Sequence, residues 1–157
     1  MRVLAFDPGF ERLGVAVVEK KNSKEVLVHS DCVRTSAKLS FPLRLKELGD
    51  AAASLMREYA PKVVALEEVF FEKNAKTAMQ VAEVRGMLAY LAAASGALVL
   101  HYTPLEVKVA VTGYGKSDKA AVAQMVGKLV ALPEKKRLDD ELDAIAIGLT
   151  CLASARF

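Results

Sequence analysis

Four acidic residues stand where the surrounding sequence gives acids no ordinary place. The apolar run Val3–Phe6 ends on Asp7, and the apolar run Val63–Leu66 ends on Glu67 and Glu68. Asp140 and Asp143 lie three apart near the carboxyl end, a spacing that puts both on one face of a helix. Short, fully apolar runs read as buried strands, and adjacent parallel strands lie about 4.8 Å apart, so Asp7 and Glu67 are expected side by side at one sheet edge. The carboxyl edge is where open α/β sheets take their ligands. Several ionised carboxylates gathered there repel one another on the order of several kcal/mol unless cations neutralise them. An all-oxygen donor set selects Mg²⁺, with Mn²⁺ as its substitute, over zinc. Two such ions about 3.5–4 Å apart activate water at a phosphodiester and stabilise the departing oxygen. The chemistry these acids point to is metal-assisted hydrolysis of nucleic acid. Singly, each has an ordinary reading as a turn, a solvated strand end or a helix cap. Jointly, they are hard to obtain by chance.

The elements that must position them follow from periodicity. Val3–Phe6 is a strand stopped by Asp7-Pro8-Gly9, and Gly14–Glu19 and Glu25–Arg34 continue it as an antiparallel meander through the polar turn Lys20–Lys24. From Pro42 to Tyr59, Leu45, Leu48, Ala52, Leu55 and Met56 recur at helical spacing until Pro61 intervenes. Val63–Leu66 is a second apolar strand, Ala75–Ala94 a long helix ended by Gly96, and Ala97–Tyr102 a third core strand. Leu105–Val111 is a short helix, Ser117 the expected N-cap of a helix reaching about Val130, and Asp139 or Asp140 opens a last helix with Ala144, Ile147 and Cys151 on its buried stripe. Strands separated by helices pair in parallel, so the fold class is α/β: a five-stranded mixed sheet, three antiparallel strands then parallel additions, flanked by helices.

Around the acids lie groups suited to a polyanion. Residues 101–137 hold seven Lys or Arg against three acids, beside the acidic cluster Asp139, Asp140, Glu141 and Asp143. Lys108, Lys116 and Lys119 are the candidate phosphate contacts there. Gly113-Tyr114-Gly115-Lys116-Ser117 looks like a nucleotide loop, but the first glycine that pattern needs is Ala110, which excludes a Walker site. Phe70 and Phe71 stand in a polar loop with Lys73 and Asn74, where an exposed ring can stack on an unpaired base. Phe71 is read as closing the core. Arg85 is open to two readings, a phosphate contact or a surface charge, and His101 is read as structural.

Composition bounds the rest. With 157 residues, 53% hydrophobic and 26% charged, the chain is expected to fold as a single domain over 1–157, and disorder is excluded. Net charge is only +3, too little to prove a polyanion partner by itself. Cys32 and Cys151 have no metal-binding spacing. The uncharged stretch Gly86–Leu105 is broken by Ser95-Gly96 and is read as a helix end and a strand, with no membrane span. The first apolar run is too short for a signal core, so a cytoplasmic location is expected.

Phe6-Asp7-Pro8-Gly9 with Gly14, Leu66-Glu67-Glu68-Val69-Phe70 with Lys73-Asn74, Val84-Arg85-Gly86, Val107-Lys108, Gly115-Lys116-Ser117-Asp118-Lys119 and Asp140-Glu141-Leu142-Asp143-Ala144 occur in this order. Together they resemble the RuvC family of bacterial crossover junction endodeoxyribonucleases over roughly residues 1–155. The resemblance implies an RNase H-like fold, a homodimer, and Mg²⁺-dependent resolution of Holliday junctions by paired symmetric nicks. It carries the catalytic and metal-binding roles to Asp7, Glu67, Asp140 and Asp143, with Glu68 as a neighbour. Important lysines become Lys108 and Lys119, and the stacking aromatic becomes Phe70. It also implies partnership with four-way junction DNA and with the RuvA–RuvB branch-migration motor. A dimer suits a junction of approximate twofold symmetry, and the Ala75–Ala94 helix is the candidate interface. An actin-like or sugar-kinase-like ATP-binding module is the competing class, but such proteins close two domains around the nucleotide. A non-catalytic junction-binding protein would not need four acids.

Overall fold

The computed structural model describes residues 1–68 and 75–155. Along the chain run β1 (Arg2–Asp7), β2 (Arg12–Lys21), β3 (Lys24–Arg34), α1 (Phe41–Tyr59), β4 (Val63–Glu67), α2 (Ala75–Ala94), β5 (Leu98–Tyr102), α3 (Pro104–Thr112), α4 (Lys119–Leu129) and α5 (Asp139–Ser154). The strands form one mixed sheet in the order β3-β2-β1-β4-β5. β1 pairs antiparallel with β2 and parallel with β4, while β5 extends the parallel side. Asn22 and Ser23, at φ 50° and 61°, make the tight left-handed turn between β2 and β3.

Alternation along the central strands separates two apolar layers. Leu4, Phe6, Val15, Val17, Val64 and Leu66 face α1 and α2, packing on Leu48, Met56, Val84 and Leu88. Val3, Ala5, Ala16, Val18, Val63 and Ala65 face α3, α4 and α5. This second face is built from smaller side chains, and that lets α5 come close. A Cβ on Gly148 of α5 would lie 2.8 Å from Val18 and 3.3 Å from the Ala5 Cβ. From Ala144 to Leu152 every residue of α5 is buried, as a helix pressed along the centre of a sheet must be.

Two expectations require correction. β5 is an edge strand and not a buried core strand: Leu98 is 51% exposed, because β5 has a partner on one side only. The N-cap of α4 is Asp118, whose carboxylate accepts from the Ala121 amide at 2.8 Å, while the Ser117 hydroxyl turns 2.7 Å from that of Thr112. A carboxylate is the better acceptor for a helix N-terminus, so the residue one position later takes the role. Among the described residues no helix is long and apolar enough to cross a membrane.

Candidate active site

The register of β1 and β4 brings the first two acids together. Phe6 lies opposite Leu66, so the next residues, Asp7 and Glu67, end neighbouring parallel strands. By the two-residue alternation both continue the rows Val3–Ala5 and Val63–Ala65, which face α5. The first turn of α5 reaches this edge because of one glycine. Gly14 pairs with Asp7 across β1 and β2. A Cβ there would run into the backbone carbonyl of Asp140 and lie 3.2 Å from the Asp7 Cβ. With no side chain at Gly14, Asp140 and Asp143 descend beside the strand ends.

Electrostatics report the convergence. Burial, followed by the charges of Glu67, Asp143 and Asp140, pushes the Asp7 carboxyl up to about 8. Burial and then Asp143 push Glu67 up to about 7, against the opposing pull of Lys119 and Lys108. Lys119, first residue of α4, donates from Nζ to Asp143 Oδ2 at 2.9 Å. Its ammonium is held above the usual lysine range by that bond first. Arg12, first residue of β2, places Nε 3.4 Å from Asp140 Oδ2. That oxygen is buried and accepts no hydrogen bond from the described residues.

A buried acceptor without a donor and a pocket of hard oxygen ligands fit a divalent cation. Among the described residues, no three acidic, histidine or cysteine side chains are drawn together as a ready-made cage. Asp140 and Asp143 pair with Arg12 and Lys119. All four expected acids, Lys119 and, through its field on Glu67, Lys108 therefore share one region.

Arg85 pairs with a histidine. Its guanidinium donates to His101 Nδ1 at 3.0 Å, and its Nε is buried without a hydrogen-bond partner among the described residues. Partial desolvation, then the Arg85 charge, hold the exposed His101 imidazole below its ordinary range. Lys116 is exposed in the turn between α3 and α4. Glu68 anchors the end of β4 through its amide, which donates to the Tyr102 carbonyl at 2.8 Å. Phe70, Phe71, Lys73 and Asn74 lie outside the described residues.

Sequence reasoning missed Arg12. Its only signal was position: β2 returns antiparallel from the Asp7 turn, so its first residue must come back near the strand end. A cleft lined by Gly9, Phe10, Arg12, Thr77, Val81 and Asp140 leads from this region toward α2. A separate hollow between α1 and α2, around Met56 and Leu91, holds no carboxylate.

A family model described as crossover junction endodeoxyribonuclease RuvC matches residues 3–151. The crossover junction endodeoxyribonuclease RuvC of Caldanaerobacter subterraneus subsp. tengcongensis is 42% identical over 149 residues, covering 95% of this chain and 90% of that protein. The corresponding protein of Brevibacillus brevis is 40% identical over 150 residues, covering 96% of this chain and 90% of its own length. Among solved structures, T. thermophilus RuvC in complex with a Holliday junction substrate superposes with a TM-score of 0.90 at 33% identity, covering 98% of this chain and 93% of that one.

Proposed function

From the premise that this chain belongs to the RuvC family of crossover junction endodeoxyribonucleases, with its RNase H-like fold and its activity as a Holliday junction resolvase, we propose how its own residues carry that activity. Asp7, Glu67, Asp140 and Asp143 are the catalytic carboxylates, and they hold divalent cations, Mg²⁺ or in its place Mn²⁺. The observation that supports this most is Asp7 itself. A strand-end carboxyl driven up to about 8 by burial and three neighbouring acids is a site poised for positive charge. When bound, a pair of such ions supplies an activated water and stabilises the departing oxygen.

The remaining work falls to the protein. Strand register sets the backbones of Asp7 and Glu67 side by side at the sheet edge, which limits how far their carboxylates can separate. Lys119, whose side chain is 75% exposed, is free to turn from Asp143 toward a backbone phosphate. Lys108 adds positive charge near Glu67, and Lys116, Phe70, Lys73 and Asn74 are read as junction contacts. Arg85, held by His101, serves the fold and presents its charge toward DNA from α2.

Residues 1–157 are read as one nuclease domain, since all described strands share one sheet. A homodimer suits paired nicks on a twofold junction. Exposed Met79 and Tyr90, 61% and 72% accessible on α2, support that helix as the interface. Cooperation with RuvA and RuvB and a cytoplasmic setting accompany the family assignment. The test is a synthetic four-way junction. With Mg²⁺ the protein nicks near the crossover, and with Ca²⁺ it binds without cutting. Asp7→Asn abolishes cutting and keeps junction affinity within about tenfold, because it removes a cation ligand and leaves the basic surface intact. Retained cutting by that variant refutes the assignment.

A further inference from the structure

A fifth acid in the first turn of α5, Glu141, takes no part in the chemistry above. Its neighbours Asp140 and Asp143 face the strand ends, whereas Glu141 is turned into the fold and is 4% exposed. The Ser30 hydroxyl of β3 donates to its Oε1 at 2.6 Å. Lys135 Nζ lies 2.7 Å from the same oxygen, and Arg137 Nε lies 3.2 Å away. The cations are themselves tied down. Lys135 donates to the Ser30 carbonyl at 2.9 Å, and Arg137 Nη1 donates to the Pro133 carbonyl at 2.8 Å. The Arg137 side chain is only 6% exposed, so a carboxylate and a guanidinium are buried together at the seam between β3 and α5.

Stability is a weak reason for such an arrangement. Removing charges from water offsets most of what their attraction returns, and apolar side chains of similar volume often serve as well or better. What such a cluster supplies is direction, since the Ser30 hydrogen bond and the two ion pairs, of which the Arg137 Nε contact makes no hydrogen bond among the described residues, each constrain where the others sit. Direction is what this helix start lacks. Leu138 is the N-cap of α5 and offers no side-chain hydrogen bond. The first turn also carries Asp139, Asp140 and Glu141 in succession, which repel one another even as the helix N-terminus favours them. The cluster joins three separate pieces: β3 through Ser30, the 131–138 connection through Lys135 and Arg137, and α5 through Glu141. Asp140 and Asp143 ride on the same rigid turn, so whatever aims Glu141 aims both.

We infer that Glu141, clamped by Ser30, Lys135 and Arg137, is a positioning residue that aims the first turn of α5 and thereby sets where Asp140 and Asp143 meet a divalent cation. The inference rests on the carboxylate site proposed above, and its experiment separates the two. Mn²⁺ binding to the full-length protein without DNA is followed by electron paramagnetic resonance, alongside Ca²⁺-supported junction binding and the unfolding midpoint. Wild type is expected to show a saturable site that Asp7→Asn removes. Glu141→Gln is expected to weaken Mn²⁺ affinity by about 10- to 100-fold, the usual effect of losing a group that orients a metal ligand. Junction affinity stays within about threefold, because the phosphate contacts remain. A merely structural role would lower the unfolding midpoint and leave the Mn²⁺ affinity of the folded protein unchanged, and that result overturns the inference. Should Glu141→Gln fail to fold, Arg137→Lys, which keeps the charge and loses the fixed geometry, is read by the same criterion. Absence of any saturable Mn²⁺ site in wild type would refute the carboxylate site itself.

Discussion

Replacing Asp7 with Asn is expected to stabilise the metal-free protein at neutral pH while ending its activity. In the folded chain the Asp7 carboxyl titrates near 8, raised from its ordinary value of 3.8, chiefly by burial. A raised acid contributes its full stability below the lower value and loses it as pH climbs through the higher one. Between pH 4 and 8 the folded protein holds a proton that the unfolded chain releases, so stability falls with pH by about 1.4 kcal/mol per unit. By pH 7 this amounts to about 4 kcal/mol for an isolated group. Glu67, itself raised to about 7, shares the same proton uptake. The gain for Asp7→Asn is therefore about 2–4 kcal/mol at pH 7, shrinking toward zero near pH 4, where Asp7 is protonated in both states. The assay is urea unfolding in EDTA from pH 4 to pH 8, with wild type and variant side by side. Adding Mg²⁺ at about 1,000 times its Kd should close or reverse the gap, since it stabilises the wild type by about 4.1 kcal/mol and the variant has lost its site. Parallel stability curves across this pH range, or a variant less stable than wild type at pH 7 in EDTA, would refute the reasoning.

Gly14→Ala tests how α5 docks. The added methyl meets the Asp140 carbonyl, a backbone atom that moves only if the whole first turn moves. A loss of about 1–3 kcal/mol in thermal or urea unfolding and a fall of about 100-fold in cleavage rate are expected. Wild-type cutting by this variant would show that the turn is not held against β2. Lys119→Ala should reduce junction cleavage by about 10- to 100-fold, since its ammonium sits 2.9 Å from Asp143. Lys128→Ala, in the exposed last turn of α4, should stay within about twofold, and equal effects would remove the role given to Lys119.

Much of this architecture was legible along the chain. The runs Val3–Phe6 and Val63–Leu66 had to be central strands because nothing in them tolerates water, and Asp7 and Glu67 mark where water begins again. The Ala75–Ala94 helix agrees with its expected limits, and the last helix opens at Asp139. Less legible were features set by more than one segment. β5 reads as apolar as the core strands, yet its place at the sheet edge leaves Leu98 half-exposed, and no local pattern announces which strand lacks a neighbour. Ser117 and Asp118 are both good caps, and the choice fell to Asp118 once Thr112 had engaged the Ser117 hydroxyl.

The site divides in the same way. Residue type and hydrophobic period alone determined that Asp7 and Glu67 would each terminate an apolar strand and that Asp140 and Asp143 would share a helix face, because those are properties of strand and helix geometry over a few residues. Tertiary structure decided which cations answer them and how closely the two halves approach. Arg12 beside Asp140 and Ser30 on Glu141 join residues from opposite ends of the chain, and Lys119 on Asp143 ties α4 to α5. Electrostatic partnership depends on distance in space and on exclusion of water, and both arise only when α5 settles against Gly14 and the small side chains of the sheet.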